Sequence, residues 1–361
     1  MSPEALDDLL AGGVTSHLQP VVDLARGRIA GYEALARYPG GSPPLEVFAA
    51  AREYGRGPDL EAAALRAALA ARRGLPAHTF LTVNIGPDVL DAPQVRQVWR
   101  EQASLAGIVV EVTEQVRIES YAALEPALDG LRSRGAMIAV DDAGAGYAGL
   151  QHLLALRPNF IKLDREIVAG LDADEAKRAL VEVMGSFADR IDAWLIAEGV
   201  ETAAELDVLV DLRVPLAQGF HLARPAAGYP SLDPDLALRI AGRATPDPGE
   251  PLRGLLERAP VVSPTSGVPE LGAHDVAVVV DAHGRPEATV DAEGIAHAVR
   301  DSGLRVNLDT PIADAAQRAI VRAPALRFQP LVCTDNAGRY VGVVRMERLV
   351  DALARGAGRS R

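Results

Sequence analysis

The 361-residue sequence has one cysteine, Cys333, which excludes an internal disulfide and a zinc site built from cysteines. No stretch approaches the roughly 18 to 20 uninterrupted apolar residues that span a bilayer. The N-terminal stretch is acidic and lacks the basic region with which a secretory signal begins. The seven histidines show no spacing typical of metal ligands. These absences predict a cytoplasmic protein that has no membrane partner.

Positive charge is also scarce, with 37 Lys and Arg residues against 49 Asp and Glu residues and a net charge of −12. This balance argues against binding to a nucleic-acid polymer, although a local group of acids can still bind metal ions. The hydrophobic fraction of 48% and the charged fraction of 24% are typical of a globular protein with an ample core. The length allows one large domain and one smaller domain.

In residues 1–240, patterns typical of strands alternate with patterns typical of helices. The first two candidate strands are joined by the short turn 25–27, which predicts a β-hairpin. Alternation of this kind predicts an α/β fold, a TIM-like (β/α)8 barrel with one antiparallel strand. The eight candidate strands span residues 17–24, 28–37, 79–85, 108–114, 136–140, 159–164, 193–201 and 215–222.

Polar residues end or interrupt these apolar strands, and a closed barrel brings the carboxyl ends of its strands to one mouth. A carboxylate among Val, Ile and Leu residues is costly without a partner. Oxygen ligands favour Mg²⁺ or Mn²⁺, and five acids favour two ions about 3.5–4 Å apart. Such a pair of ions suits the attack of water on a phosphodiester. The residues are Glu33, Asn84, Glu111, Asp141, Asp142, Lys162, Glu198 and Gln218.

Seven motifs in order resemble those of the EAL-domain phosphodiesterases, which hydrolyse cyclic di-GMP. The resemblance covers roughly residues 15–230, and it implies a bacterial second-messenger enzyme that converts cyclic di-GMP to linear pGpG. The motifs are GYEALAR at 31–37, TVNIGP at 82–87, EVTE at 111–114, VDDAGAGYAGL at 140–150, FIKLDR at 160–165, AEGVET at 197–202 and AQGFHLARP at 217–225.

Carried over residue by residue, the resemblance implies a set of metal ligands that holds two Mg²⁺ or Mn²⁺ ions. Within this set, Asp141 is the expected bridge between the ions, and Glu198 either binds metal or orients the attacking water. The implied ligands are Glu33, Asn84, Glu111, Asp141, Asp142 and Glu198.

The resemblance also implies residues that act on the water, bind the substrate or support loops. Lys162, Glu198 and Gln218 are the implied catalytic residues, which hold or activate the attacking water. Gln19, Gln218 and Arg37 are implied to bind the substrate, with Arg37 at a phosphate. Two acids are implied loop anchors, namely Glu114 for the loop after Asp142 and Glu201 for the loop after Glu198.

The loop after the two aspartates departs from the family pattern. Where relatives usually have Phe, Thr and two Ser residues, this chain has Ala143, Ala145, Ala148 and Gly149. In the family this loop couples dimerisation to metal binding, so we expect a homodimer whose activity is lower or depends on a signal. The alternative hypothesis is a weak or inactive barrel that acts as a receptor for cyclic di-GMP.

The C-terminal part begins after a predicted linker at 241–259, which contains the Pro-rich stretch 244–251. Residues 260–361 contain two strand–turn–strand units and resemble a pair of CBS modules in an α+β regulatory domain, with a PAS-like fold as the competing assignment. The CBS resemblance implies an adenine nucleotide as ligand. Thr334 and Asp335 are candidates for a ribose contact, although a polar turn is the simpler and favoured explanation. Met346 and Val350 are predicted packing residues.

Overall fold

The computed structural model describes the chain in two compact units, residues 1–185 with 194–244 and residues 186–193 with 245–361. The domain boundaries 1–240, 241–259 and 260–361 therefore stay predictions. Within the described residues, no helix combines the length and the apolar character needed to cross a membrane. The described residues are 1–112, 121–143, 153–191, 193–243, 252–264, 271, 276–299, 304–308, 310–320, 322–336 and 338–359.

Eight strands of the first unit form a closed barrel in the order of the sequence. β1 runs antiparallel to both β2 and β8, and all other neighbouring strands are parallel. The predicted barrel with one antiparallel strand is thus confirmed. The strands are β1 Thr15–Asp23, β2 Arg28–Arg37, β3 Phe80–Ile85, β4 Ile108–Val112, β5 Met137–Ala143, β6 Phe160–Leu163, β7 Trp194–Ala197 and β8 Leu216–Ala217.

Helices follow most strands of the barrel, and several of them begin at or next to a proline, whose fixed φ suits the first helical turn. The helix Pro3–Gly12, which the sequence analysis did not predict, is capped by Ser2, whose hydroxyl accepts the N–H of Ala5 at 3.2 Å. The helices are Pro3–Gly12, Pro44–Glu53, Gly57–Ala70, Pro93–Arg100, Tyr121–Ser133, Arg165–Val168, Glu175–Arg190, Ala203–Asp211 and Pro234–Arg243, with 3₁₀ turns at Pro39–Gly41 and Ala71–Gly74.

The interior of the barrel is filled by one apolar side chain or more from each strand. The rings of Phe80 and Phe160 lie 5.0 Å apart there. Gly31 in β2 makes room for this packing, because a Cβ atom at that position would lie 2.4 Å from the Phe80 ring. The interior cluster consists of Val21, Ala30, Phe80, Val109, Met137, Ala139, Phe160, Ile196 and Leu216.

Among its described residues, the C-terminal unit contains two sheets with the same local plan. In each, a parallel strand pair is followed by an antiparallel hairpin, as the predicted strand–turn–strand repeat requires. The first sheet has the order β12-β11-β10-β9 and the second the order β13-β14-β15. The elements are β9 Val261–Val262, β10 Val276–Val280, β11 Pro286–Asp291, β12 Ala296–Ala298, β13 Arg305–Asn307, β14 Leu331–Thr334, β15 Tyr340–Val344, the helices Ile312–Ile320 and Met346–Arg359, and 3₁₀ turns at Leu252–Leu255 and Pro324–Leu326.

The core of this unit includes residues from the segment predicted as linker. Leu252 and Leu255 are buried in it, and Glu257 pairs with Val343 through two backbone hydrogen bonds of 2.8 and 2.9 Å. Met346 packs against the same core, as predicted. The predicted packing role of Val350 is wrong, because that residue is 60% exposed on the outer side of its helix.

Candidate active site

The polar residues of the barrel mouth continue the inward-facing rows of side chains that form the apolar interior. Side chains two apart on a strand share a face, so a polar residue two positions after a core residue also points inward. Towards the carboxyl ends, the rows run from Phe80 through Thr82 to Asn84, from Val109 to Glu111, from Met137 through Ala139 to Asp141, from Phe160 to Lys162, from Trp194 through Ile196 to Glu198, and from Leu216 to Gln218.

Lys162 lies at the centre of this mouth and is almost fully buried. Its Nζ atom donates a hydrogen bond to Oε1 of Glu111 and lies 2.6 Å from Oε1 of Glu198. Oδ1 of Asp141 is 3.4 Å away and Oε1 of Glu33 is 3.8 Å away. One ammonium group therefore faces four carboxylates, which leaves a surplus of negative charge in a buried place.

The pKa values of the cluster reflect burial first and this surplus second. Burial raises the pKa of Glu111 well above its usual value, and Glu33, Asp141 and Glu198 add to the effect against the opposing charge of Lys162. Burial, opposed by Lys162 and reinforced by Asp141 and Glu33, raises the pKa of Glu198 to about 8. Burial works against the charge of Lys162, but Glu111 and Glu198 outweigh it and hold its pKa well above the usual value.

Three buried oxygen atoms of the mouth have no hydrogen-bond partner among the described residues, namely Oε2 of Glu111, Oδ1 of Asp141 and Oε1 of Gln218. Ligand atoms of Glu111, Asp141 and Glu198 lie within 4.8 Å of one another. Buried acceptors without donors are costly, and carboxylate and amide oxygens are the ligands that Mg²⁺ and Mn²⁺ prefer. The residues present therefore fit a divalent cation.

Amide side chains hold the acid of β2 in place. Nδ2 of Asn84 donates to Oε1 of Glu33 at 2.9 Å, and Nε2 of Gln218 donates to Oε2 of Glu33 at 2.6 Å. Nε2 of Gln218 also lies 2.9 Å from Oε1 of Gln19, whose own amide donates to the carbonyl of Ala223. The structure thus brings Gln19, Glu33, Asn84 and Gln218 into one hydrogen-bonded group.

The remaining predicted site residues are less closely joined to this group. Arg37 ends β2 and donates from Nη1 to the carbonyl of Ala36 at 2.9 Å. Glu201 pairs with Arg165, with 2.9 Å between Oε1 and Nη2. Glu114 lies outside the described residues, as does the side chain of Asp142, whose backbone is part of β5.

A cleft opens over the acidic cluster and includes residues that the sequence analysis did not select. Asp164 and Arg165 line it from the end of β6, and Phe220, which is 47% exposed, lines it beyond β8. Arg224 lies over the Phe220 ring at 4.4 Å from the ring centre. Gly199 has φ of +67°, and a Cβ there would lie 2.5 Å from Cγ of Arg165, so glycine is required for this packing.

Two buried helical acids stand behind the strand ends and were also missed. Glu61 accepts the N–H of Gly86 at 3.2 Å, two residues after Asn84. Burial, reinforced by Asp88 and opposed by the Gly86 N–H and Arg52, raises the pKa of Glu61 to about 7. Glu205 accepts three backbone N–H groups from loops after β6 and β7. In the sequence, both acids look like ordinary members of amphipathic helices.

Comparison with family models gives two matches. Residues 3–225 match the model described as EAL domain, and residues 304–355 match the model described as CBS domain. The CBS match covers the second of the two strand–turn–strand units and the helices beside it. The predicted EAL resemblance is thereby confirmed, and the predicted CBS resemblance is confirmed as one CBS domain at 304–355.

Curated relatives match the barrel. The chain is 30% identical over 224 residues to the cyclic di-GMP phosphodiesterase NbdA of Pseudomonas aeruginosa. This match covers 58% of this chain and 28% of that protein. It is 28% identical over 227 residues to the probable cyclic di-GMP phosphodiesterase PdeG of Escherichia coli. This match covers 59% of this chain and 45% of that protein. The match spans less than half the length of these curated relatives.

Solved structures resemble the same part of the chain. The manganese and cyclic di-GMP complex of BlrP1 from Klebsiella pneumoniae is 30% identical with a TM-score of 0.55, and the match covers 61% of this chain and 57% of that one. The cyclic di-GMP complex of the PaMucR phosphodiesterase is 27% identical with a TM-score of 0.56, covering 62% and 96%.

Proposed function

Because the chain belongs to the EAL domain family, we propose that it hydrolyses cyclic di-GMP to linear pGpG at the mouth of its barrel. The observation that carries this proposal is the buried surplus of negative charge around Lys162. Such a cluster repels an anionic phosphodiester unless divalent cations bind first. A metal-dependent hydrolase needs this arrangement, whereas a protein that binds neither metal nor nucleotide gains nothing from it.

Two Mg²⁺ or Mn²⁺ ions would be held by Glu33, Asn84, Glu111, Asp141 and Asp142, with Glu198 as a further ligand. When bound, such ions supply positive charge to the phosphoryl oxygens and allow water to act as a nucleophile at neutral pH. The cyclic di-GMP complexes of relatives with manganese support this choice of cation.

The chain's own residues would position the reactants. The ammonium of Lys162 is kept charged by its neighbours, so it can hold the attacking water or a phosphate oxygen. Oε1 of Glu198, 2.6 Å from Nζ of Lys162, would accept a hydrogen bond from that water and orient it. Gln218, directly after β8, would orient the water through Oε1, which has no hydrogen-bond partner among the described residues.

The cleft above the cluster would bind the nucleotide. Its exposed Phe220 ring offers a surface on which a purine can stack. The guanidinium of Arg224, which lies over that ring, would attract the electron-rich purine. Gln19 lines the same cleft, and Arg37 at the end of β2 would contact a phosphate.

The decisive assay is incubation of purified protein with cyclic di-GMP and Mn²⁺ or Mg²⁺, followed by detection of pGpG. We expect turnover that Glu33→Ala abolishes, and inhibition by Ca²⁺, whose longer bonds disturb the spacing that two ions require. Full activity with Ca²⁺ contradicts the mechanism. Binding of cyclic di-GMP without turnover supports the receptor alternative, which rests on the substitutions after Asp142.

Regulation by the C-terminal unit and a homodimer are proposals that rest on the family resemblances, and a cytoplasmic location is a proposal that rests on the composition of the sequence. The proposed adenine nucleotide has less support. The carboxylate of Asp335 already accepts the N–H of Arg339 at 2.9 Å within its own turn, and Thr334 is buried with its hydroxyl directed at the carbonyl of Val306. Both side chains therefore already serve the fold, which supports the polar turn as their explanation.

A further inference from the structure

Glu205 is a buried acid at the start of the helix Ala203–Asp211, outside the cleft. One of its oxygens, Oε2, accepts the backbone N–H groups of Glu201 and Thr202, each at 3.0 Å. The Thr202 hydroxyl accepts the N–H of Glu205 in return at 3.2 Å, which completes a capping box. The capping box explains Oε2 but leaves Oε1 without a local role.

Oε1 of Glu205 reaches a different βα loop. It accepts the N–H of Gly170 at 3.0 Å, in the turn that follows the short helix Arg165–Val168 after β6. Gly170 has φ of +72°, a conformation that directs its N–H out of the helical path and that a side chain would strain. One carboxylate therefore ties the segment after β6 to the segment after β7.

The two tied segments carry a pair of residues at the centre of the mouth. β6 ends one residue after Lys162, and β7 ends one residue before Glu198, with 2.6 Å between Nζ and Oε1 of this pair. Only Gly199 and Val200 separate Glu198 from Glu201, whose N–H is bound by Glu205. The N–H of Glu198 is hydrogen-bonded to the carbonyl of Leu163 at 3.1 Å, and the far end of the segment, at Glu201, is fixed by the buried carboxylate.

A second tie between the same segments is weaker. Arg165 and Glu201 form an ion pair at 2.9 Å, but their side chains are 61% and 40% exposed, so water and salt screen it. The three N–H groups bound by Glu205 are shielded, and they overcome the effect of burial to lower its pKa. Beyond the strand ends, Glu205 is therefore a buried connection between the two loops, in addition to this exposed ion pair.

We propose that Glu205 is a positioning residue that sets the distance between Glu198 and Lys162 by joining the loops after β6 and β7. This inference rests on the proposed hydrolysis of cyclic di-GMP for its kinetic consequence. Its structural content concerns only the two loops and can be measured without metal or substrate.

The test compares two variants that both disturb the capping box. Glu205→Gln keeps the size of the side chain but presents an amide group to N–H donors. Thr202→Val keeps the shape of the cap residue and removes only its hydroxyl, so the tie to Gly170 remains. We expect kcat for cyclic di-GMP to fall roughly 10- to 100-fold in Glu205→Gln with little change in KM, and to stay near the wild-type value in Thr202→Val.

Hydrogen exchange of the metal-free proteins provides the independent measurement. We expect faster exchange at 169–171 and at 198–202 in Glu205→Gln, and faster exchange confined to the first turn after residue 202 in Thr202→Val. An equal loss of kcat in both variants overturns the proposal, because helix capping alone then accounts for the loss. Unchanged exchange at 169–171 in Glu205→Gln also overturns it. A wild-type protein without turnover refutes the proposed function. The exchange data alone then test whether Glu205 joins the loops after β6 and β7.

Discussion

The acids of the barrel mouth and the aspartates of the C-terminal hairpins are of the same chemical type in opposite surroundings. In the mouth, four carboxylates face one ammonium group. Three buried oxygens of the mouth have no hydrogen-bond donor among the described residues. In the hairpins, each aspartate accepts backbone N–H groups of its own turn. The contrast separates a cluster of acids with too few donors from acids whose donors lie in their own turn.

The hairpin aspartates share the pattern D-x-x-G. Oδ1 of Asp281 accepts the N–H groups of His283 and Arg285 at 2.8 and 2.9 Å, and Oδ1 of Asp291 accepts two N–H groups of its turn in the same way. Burial opposes ionisation of Asp281, but the Arg285 N–H and the Arg285 charge outweigh it and lower the pKa. The pKa of Glu111 moves in the opposite direction. Burial acts on both acids, but at Glu111 neighbouring carboxylates reinforce it, whereas at Asp281 backbone N–H groups and Arg285 outweigh it.

The largest expected effect is the loss of activity when an acid of the barrel mouth is replaced. Glu111→Gln removes one charge and one proposed ligand, so we expect phosphodiesterase activity to fall by roughly 10²–10³-fold or more. In the presence of a chelator, the same variant should unfold at an equal or higher temperature, because it relieves repulsion among buried carboxylates. Thermal unfolding in the presence of EDTA checks the expected change in unfolding temperature, and a pGpG assay checks the expected loss of activity. A clear loss of stability with chelator contradicts the claim of surplus charge.

Glu61 tests whether a raised pKa alone marks a site. Its pKa of about 7, against a usual value of 4.5, means that the folded state holds the proton more tightly. Its contribution to stability is therefore greatest below pH 4.5 and is lost as the pH rises to about 7, a change of up to about 3 kcal/mol. We expect Glu61→Gln to lose less stability between pH 5 and pH 8 than the wild type.

Urea unfolding followed by tryptophan fluorescence measures this difference, because both tryptophans, Trp99 and Trp194, lie in the barrel unit. Glu182→Gln, at an exposed position of the helix Glu175–Arg190, is the matched control and should follow the wild type. A Glu61→Gln profile that parallels the wild type across this pH range would show that Glu61 is ionised throughout.

Asp281→Asn tests the aspartates of the C-terminal hairpins. It exchanges a carboxylate that accepts two N–H groups and pairs with Arg285 for a neutral amide, so we expect a loss of about 1–3 kcal/mol from the C-terminal unit. Because the pKa of Asp281 is lowered, its contribution is present above the usual value of 3.8 and is lost as the pH falls through the lower folded value. Hydrogen exchange at 276–291 at pH 7 checks the loss; unaltered protection means the turn does not need the charge.

The smallest expected effect concerns Asp335 and the proposed adenine nucleotide. If the carboxylate serves only its own turn, Asp335→Asn leaves the affinity of the protein for AMP unchanged. Calorimetric titration of both proteins with AMP provides the comparison. A marked weakening in the variant would assign Asp335 to the ligand and place it with the acids of the mouth.

Much of the barrel could be predicted because each strand is short, apolar and bounded by turn residues. The inward acids stood out for the same reason, since a charge within a run of Val and Ile has no structural use without a partner. The strand ends were predicted too long at β7 and β8, where Glu198 and Gln218 follow the last ladder residue. There the chain leaves the sheet to form the mouth.

Other features could not be predicted, because they depend on contacts between distant segments. Glu61 and Glu205 sit on helices whose acids usually face water, and only tertiary structure brings them to backbone N–H groups of strand-end loops. The residues Leu252 and Leu255 follow a Pro-rich stretch, yet they fill the core of the C-terminal unit. Met346 and Val350 are four apart on one helix, but only the first reaches that core.

The most direct test of the central claim is calorimetric titration of Mn²⁺ into chelator-treated protein, with Glu111→Gln and Asp281→Asn as the two comparisons. The account predicts saturable Mn²⁺ binding in the wild type and in Asp281→Asn, and a loss of that binding in Glu111→Gln. Absence of binding in the wild type, or equal binding in Glu111→Gln, would contradict the assignment of the barrel mouth as a cation site.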